Sequence, residues 1–352
     1  MSTDLDETNS SGRQTPPLST RLSLMPVYIK KDYVSVSNAL QQNIKLTNAN
    51  KLSGIPSWNQ IEMYFRTEES TRDYLINEGI LTPLTHCLVC DSPIGPCDAK
   101  GRLRCYACKR NGKEWTQSIY NGTFFDGFRS KEENGGKQEL IRFIHNWLCG
   151  APVNFQRKTL GWSNRKVADW TRTLQELIAI SVLNETEPIG GPGIVVEIDE
   201  SKFGKRKYNR GHRVEGAWVF GGVENTPERR FFAVIVEKRD KETLMPLIKK
   251  FIAPGSIIMS DEWGAYNKIS EQTGYDYTHQ TVNHSKEFVN SETGACTNTV
   301  EGTWSAVKSK VPARKRNKRE LQNCLFEFIW RRANEGNLWN AILKALSEIR
   351  YA

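Results

Sequence analysis

The spacing of apolar positions divides the chain into a helical first half and a strand-rich second half. Leu140, Phe143 and Trp147 recur at helical spacing and predict a helix that ends at Cys149-Gly150. In NRKVADWTRTLQELIAISVL, Val167, Trp170, Leu174 and Leu177 fall on one face of a long helix, which the Gly161-Trp162-Ser163 turn precedes. Upstream, residues 57–81 (SWNQIEMYFRTEESTRDYLINEGIL) predict one or two short helices, with Thr67-Glu-Glu-Ser as a start signal. After the turn-rich Glu187-Pro-Ile-Gly-Gly-Pro-Gly193 the period changes. GIVVEID, AWVFGGVE and RRFFAVIVE are β-rich runs, KETLMPLIKKFI is helical and SIIMSD is a short buried strand. EWGAYNKI then reads as helix, YDYTHQTV as strand and TVEGTWSAVKSK as helix. Three strands, a helix, a strand, a helix and a strand predict a mixed α/β sheet, one half antiparallel and one half parallel, covered by helices.

Composition narrows the class without choosing a function. The chain has 352 residues, 38% hydrophobic and 25% charged, with ten Trp, which excludes a wholly disordered or collagen-like protein. Residues 1–25, rich in Ser, Thr, Asp and Pro, are expected to be disordered. No run approaches the roughly 18 apolar residues of a membrane span, and the first twenty residues lack the apolar stretch of a secretory signal. Forty-nine Lys and Arg against 40 Asp and Glu give a net charge of +9, which permits a polyanionic partner but does not require one.

Cysteine spacing is sharper. Cys87-x2-Cys90 and Cys105-x2-Cys108 form two CxxC knuckles within HCLVCDSPIGPCDAKGRLRCYACKR. Without a secretory signal, metal binding is favoured over a disulfide framework. Two knuckles complete a closed tetrahedral four-thiolate site, so a Zn²⁺ ion held there would be structural. Cys97 reads better as a buried or free thiol than as a ligand. Lys100, Arg102, Arg104, Lys109 and Arg110 make this module basic.

Three carboxylates stand where chemistry can use them. Asp199 and Asp261 end two buried strands, and Glu301 opens a helix beside the stripe Val300, Trp304, Val307 and Val311. Clustered carboxylates repel one another unless a hard cation lies between them, and oxygen-only ligands favour Mg²⁺ or Mn²⁺. Two such ions about 4 Å apart serve phosphodiester chemistry. Taken one at a time, each acid reads as readily as a turn or cap residue, Asp261 before EWGAY being a good N-cap.

Asp on a first strand, Asp on a fourth strand and Glu on a following helix resemble the RNase H-like catalytic core of DDE transposases. VEIDESKFGKRK, IMSDEWGAY, VNHSKEFV and TNTVEGTWSAVKSK are similar to the Merlin family of cut-and-paste transposases and their bacterial insertion-sequence relatives, over roughly residues 65–345. The gaps of sixty-one residues (200–260) and thirty-nine residues (262–300) suit that family. The resemblance implies that Asp199, Asp261 and Glu301 bind two Mg²⁺ or Mn²⁺ ions, with His284 as an accessory residue. One departure is Cys296, where relatives often carry His. The implied organisation is a disordered tail (1–25), a helical segment (26–81), a zinc ribbon (82–130), a helix-turn-helix (131–186), an RNase H-like domain (190–311) and a basic segment with C-terminal helices (312–352). An ordinary helical bundle is the alternative for 131–186.

Charge placement then gains meaning. Arg165, Lys166 and Arg172 lie on the long helix; Lys202, Lys205, Arg206 and Lys207 follow Asp199; Lys308, Lys310, Arg314, Lys315 and Arg316 follow Glu301. These are the expected contacts to a DNA backbone. PARKRNKRE also suits a nuclear address. The leading expectation is a transposase that binds terminal inverted repeats, cleaves the element ends and joins the 3′-hydroxyls to target DNA. Joining two ends would need a homodimer or a higher oligomer. The competing expectation is a transposase-derived DNA-binding regulator that no longer cuts.

Overall fold

The computed structural model describes residues 54–128, 136–204, 216–282 and 296–351. The expected disordered tail, His284, Lys205, Arg206 and Lys207 lie outside the described residues.

The first half begins with α1 (Trp58–Ile61), a 3-10 turn (Glu62–Phe65) and α2 (Glu68–Asn77). Thr67 starts α2 as its sequence suggests: the Thr67 hydroxyl accepts the Ser70 N–H at 3.0 Å, and the Thr67 N–H donates to the Ser70 hydroxyl. β1 (Arg102–Arg104), α3 (Tyr106–Arg110) and β2 (Thr116–Ser118) form the cysteine module, with β1 and β2 antiparallel. Next come α4 (Lys137–Leu148), α5 (Val153–Leu160) and α6 (Asn164–Glu185). Gly150 and Gly161 close the first two of these helices at φ 74° and 65°, a region in which a Cβ is strained. Ser163 caps α6 by accepting the Lys166 N–H at 3.1 Å.

The second half is built on β3 (Ile189–Gly190), β4 (Val195–Phe203), β5 (Ala217–Glu224), β6 (Phe231–Val236), α7 (Lys241–Phe251), β7 (Ile252–Ala253), β8 (Ile257–Asp261) and β9 (Thr278–Val282). The main sheet runs β6-β5-β4-β8-β9. β5 pairs antiparallel with β4 and with β6, whereas β4-β8 and β8-β9 are parallel. This is the mixed sheet expected from the sequence, with the antiparallel and parallel halves meeting at β4. Three helices finish the chain: α8 (Asn298–Lys310), α9 (Lys318–Ala333) and α10 (Leu338–Glu348). Among the described residues no helix is long and apolar enough to cross a membrane.

One expectation is corrected. EWGAYNKI is not an α-helix but a single 3-10 turn, Gly264–Tyr266. The Asp261 carboxylate accepts the Trp263 N–H at 3.1 Å and bends the chain straight after β8, while the Tyr266 hydroxyl is tied to Glu200. The local Asp261 bond and the long-range tie to Glu200 on β4 together outweigh the helix ladder over so short a segment.

Alternation along the strands sends side chains to two different cores. Val196, Ile198, Phe220, Phe232 and Ile258 pack with Leu244 and Ile248 of α7. Phe203, Val219, Val223 and Phe231 pack with Val300, Trp304 and Val307 of α8 and with Leu321 and Leu325 of α9. A third core joins Leu75, Leu140, Phe143, Leu174 and Leu177 from the first half to Trp330, Trp339, Ile342 and Leu346 from the last helices. α9 therefore touches the sheet through its first turns and the helical core through Trp330. Arg331 fastens it there: its guanidinium donates to the Leu148 and Trp147 carbonyls at the end of α4, at 3.0 and 2.9 Å.

Candidate active site and zinc cluster

Glu197 and Asp199 are two residues apart on β4, so both point to the face covered by α8. Val196 and Glu197 pair with Ile258 and Met259 in the parallel ladder, and the same register carried two residues further sets Asp199 beside Asp261. Across the other edge Asp199 pairs with Gly221. A Cβ on Gly221 would come within 2.7 Å of the Trp304 ring, so the missing side chain lets α8 lie down on the sheet. Glu301, three residues before Trp304, is carried to the same corner. Asp199 and Asp261 are half-buried and Glu301 is exposed.

Asp199 carries the imprint of its surroundings. Burial raises the Asp199 carboxyl to about 6, and the negative charges of Asp261 and Glu301 add to the rise. The Glu200 backbone N–H holds it back. The Trp304 indole N–H is buried and makes no hydrogen bond among the described residues. The three carboxylates are not drawn within 4.8 Å of one another, as the four cysteine sulfurs are.

Beside the acids lies a cleft of about 750 Å³, lined by Asp199, Asp261, Glu200, Lys202, Trp218, Arg239, Trp263 and Lys308 among others. Lys202 and Lys308 were expected near the acids; the aromatic wall was not. Arg239 lies between two indoles, 3.7 Å from the Trp218 ring centre and 4.7 Å from that of Trp263. Burial raises the Glu200 carboxyl to about 7, offset in part by the Tyr266 hydroxyl. No motif spacing announces Trp218, Trp263 or Arg239; a Trp in a strand reads as core until the register shows where the sheet ends.

The cysteine module is a second centre. The Sγ atoms of Cys87, Cys90, Cys105 and Cys108 all lie within 4.8 Å of one another. Cys87–Cys108, Cys90–Cys105 and Cys90–Cys108 are 3.7, 3.5 and 3.4 Å apart. A tetrahedral Zn²⁺ with Zn–S bonds of about 2.3 Å spaces its sulfurs by about 3.8 Å, so the residues fit that ion. Backbone N–H groups of Val89 and Cys108 donate to the Cys87 and Cys105 sulfurs, both at 3.4 Å, and stabilise thiolates there. Hydrogen bonds from Ser92 hold the Cys90 thiol down at about 6, whereas its contact with Cys90 pushes Cys108 up to about 12. Four crowded sulfurs resist full ionisation, and a divalent cation removes that resistance. Cys97 packs against the helical core instead, as expected of a non-ligand.

Comparison with known proteins finds one similarity to a family, in the second half. Residues 188–333 match the model of the ISXO2-like transposase domain, a span that runs from β3 to the end of α9. Among solved structures the chain is similar to that of a pre-cleavage Mos1 transpososome, at 6% identity over 61% of this chain and 81% of the other, with a TM-score of 0.19. It is also similar to the Mos1 strand transfer complex, at 8% identity over the same shares, with a TM-score of 0.20. TM-scores so low carry no weight on fold or function. No curated protein matches the chain.

The basic residues expected to meet DNA divide by environment. Lys202 lies over the Trp218 ring at 5.2 Å and Lys308 over Phe203 at 5.5 Å, both on the wall of the cleft. Arg314 is exposed, as are Lys310 and Arg165, while Lys315 is half-buried. Arg165 and Arg172 each reach Asp169, at 3.8 and 3.4 Å. Two expected contacts are instead engaged inside the protein. Lys166 lies over the Phe128 and Trp162 rings and pairs with Glu139 at 3.9 Å. Arg316 donates to the Val311 carbonyl at 3.1 Å and to the Lys308 carbonyl, closing the end of α8.

Proposed function

We propose that this chain is a cut-and-paste DNA transposase that binds the terminal inverted repeats of an element, cleaves its ends and joins the freed 3′-hydroxyls to target DNA. The observation that carries the reading is the match of residues 188–333 to the ISXO2-like transposase domain, and it is supported by the parallel ladder of β4 and β8, whose register extended by two residues would put Asp199 next to Asp261, near the start of the Glu301 helix. Asp199, Asp261 and Glu301 would hold two Mg²⁺ or Mn²⁺ ions, which when bound activate the attacking oxygen and stabilise the leaving one. The chain's own part is to fix three carboxylates at one end of a rigid sheet and to keep Lys202, Lys308 and Arg239 on the cleft wall, where a phosphate backbone would pass. α5, the Gly161 turn and α6 support a helix-turn-helix reading, with exposed Arg165 on the DNA side. The zinc module would stiffen the platform on which those helices sit.

The test is cleavage and strand transfer by the full chain on DNA carrying the element ends with Mg²⁺. Asp261→Ala is expected to abolish both reactions and to leave end binding at the parental affinity. An Asp261→Ala protein that still cleaves would remove the metal-site assignment. A parent that binds ends but never cuts would favour a regulator.

A further inference from the structure

The α8 helix has a gap at its start. Its N-cap, Thr297, makes no side-chain capping bond, so the first N–H groups of the helix need an acceptor from elsewhere. Glu197 supplies it from the sheet. The Glu197 side chain is wholly buried (0% exposed), and its Oε2 accepts the Thr299 N–H at 2.7 Å and the Val300 N–H at 3.0 Å. Cys296 directs its thiol at the other Glu197 oxygen at 3.9 Å. Thr299 and Val300 directly precede Glu301, and Glu197 stands two residues before Asp199 on the same face of β4.

We infer that Glu197 is a positioning residue that locks the Glu301 helix to the Asp199 strand and so fixes the spacing at which the carboxylates hold their metal ions. The inference rests on the metal-binding reading of Asp199, Asp261 and Glu301. A buried carboxylate is costly unless strongly satisfied; here two charge-assisted bonds and the positive end of a helix satisfy it. An ordinary cap of the Ser or Asp kind at position 297 would stabilise α8 equally well, yet it would leave the helix free to slide over the sheet. Bonds to a neighbouring strand prevent that sliding, because a shift of α8 along the sheet stretches both. Glu197 touches neither metal nor DNA in this role and acts only through Glu301.

The test measures Mn²⁺ binding to the full chain without DNA, by the loss of the free-ion electron paramagnetic resonance signal, alongside the thermal midpoint. The parent is expected to bind Mn²⁺ at a site that Asp261→Asn removes. Glu197→Met keeps the length of the side chain and removes the oxygen that accepts both N–H groups. It is expected to weaken that site by roughly 10–100-fold, the usual effect of disturbing a residue that orients a metal ligand. Thr299→Pro removes one donor in the first turn of the helix, where proline is tolerated, and is expected to weaken the site in the same direction. It decides the question if Glu197→Met does not fold. Folded Glu197→Met or Thr299→Pro protein that binds Mn²⁺ as the parent does would show that Glu197 is only a helix cap. A parent that binds no better than Asp261→Asn would instead remove the carboxylate site itself, and the inference with it.

Discussion

Gly221 and Trp304 show how single residues set the corner of the sheet. Trp304 is 3% exposed and packs edge-on against Phe203 and Phe231, at 6.1 and 5.6 Å. Because a Cβ at 221 would lie 2.7 Å from both the Trp304 ring and the Phe232 carbonyl, a methyl group there must displace α8 or the strand. Gly221→Ala is expected to lower stability by about 1–3 kcal/mol, read from urea denaturation midpoints. Glu78 is a different kind of buried residue. It is 2% exposed, neither carboxylate oxygen has a hydrogen-bond partner among the described residues, and burial raises it from 4.5 to about 7. The folded chain thus binds that proton more tightly than the unfolded chain does. Its unfavourable contribution is absent below pH 4.5, grows as the pH rises from 4.5 to 7 and is complete above 7. Glu78→Gln should therefore match the parent near pH 4 and exceed it by on the order of 1–3 kcal/mol at pH 8, a difference that thermal or denaturant midpoints at the two pH values would reveal.

At the level of elements, what the sequence disclosed was governed by periodicity and length. The strands and long helices of the second half were legible because each has six or more residues of one period or is flanked by turn residues. β3 and β7, two residues each, pair in parallel yet are too short to carry a pattern. The 3-10 turn after Asp261 was misread because its apolar spacing is helical, whereas side-chain bonds from Asp261 and Glu200 decide its path. Asp261 could be found as a strand end and Glu301 from the order of elements, but Asp199 does not end its strand: β4 continues through Lys202 to Phe203, because the alternating pattern of SKF extends the pairing with β5. Glu197 could not, since its partners are about a hundred residues away and nothing local marks the acid as a cap. The cysteine module lies at the legible extreme, as four ligands in two CxxC pairs announce themselves. One zinc ion per chain is expected by elemental analysis; Cys105→Ser should lose it and Cys97→Ser should keep it. The module is also tied to α2, where Arg72 donates to the Asp98 and Ala99 carbonyls and Tyr120 to Glu68. Metal loss should therefore remove hydrogen-exchange protection from α2 as well as from β1 and β2.

Across the whole molecule, the last two helices decide whether the first half has a core. Leu338, Trp339, Ile342, Leu343, Leu346 and Ile349 are all buried, against residues that include Tyr74, whose hydroxyl receives the Trp339 indole N–H at 3.4 Å. Their apolar sequence suited either the core or another subunit; the fold uses them for the core. Burial of six such side chains contributes on the order of 10 kcal/mol before conformational entropy is subtracted. A chain ending after Asn337 is expected to lose near-ultraviolet circular dichroism from its Trp-rich helical half and to aggregate. Retention of a sharp thermal transition in that half would contradict this account.

The same closure orders events during synthesis. Leu75 leaves the ribosome long before Leu346, its companion in one core. At roughly 5–20 residues per second the wait lasts tens of seconds. Through that interval α2, α4 and α6 hold out an unfinished apolar surface, the kind that chaperones guard. The helices proposed to recognise DNA reach their final packing only once the sheet bearing the three acids has already been made.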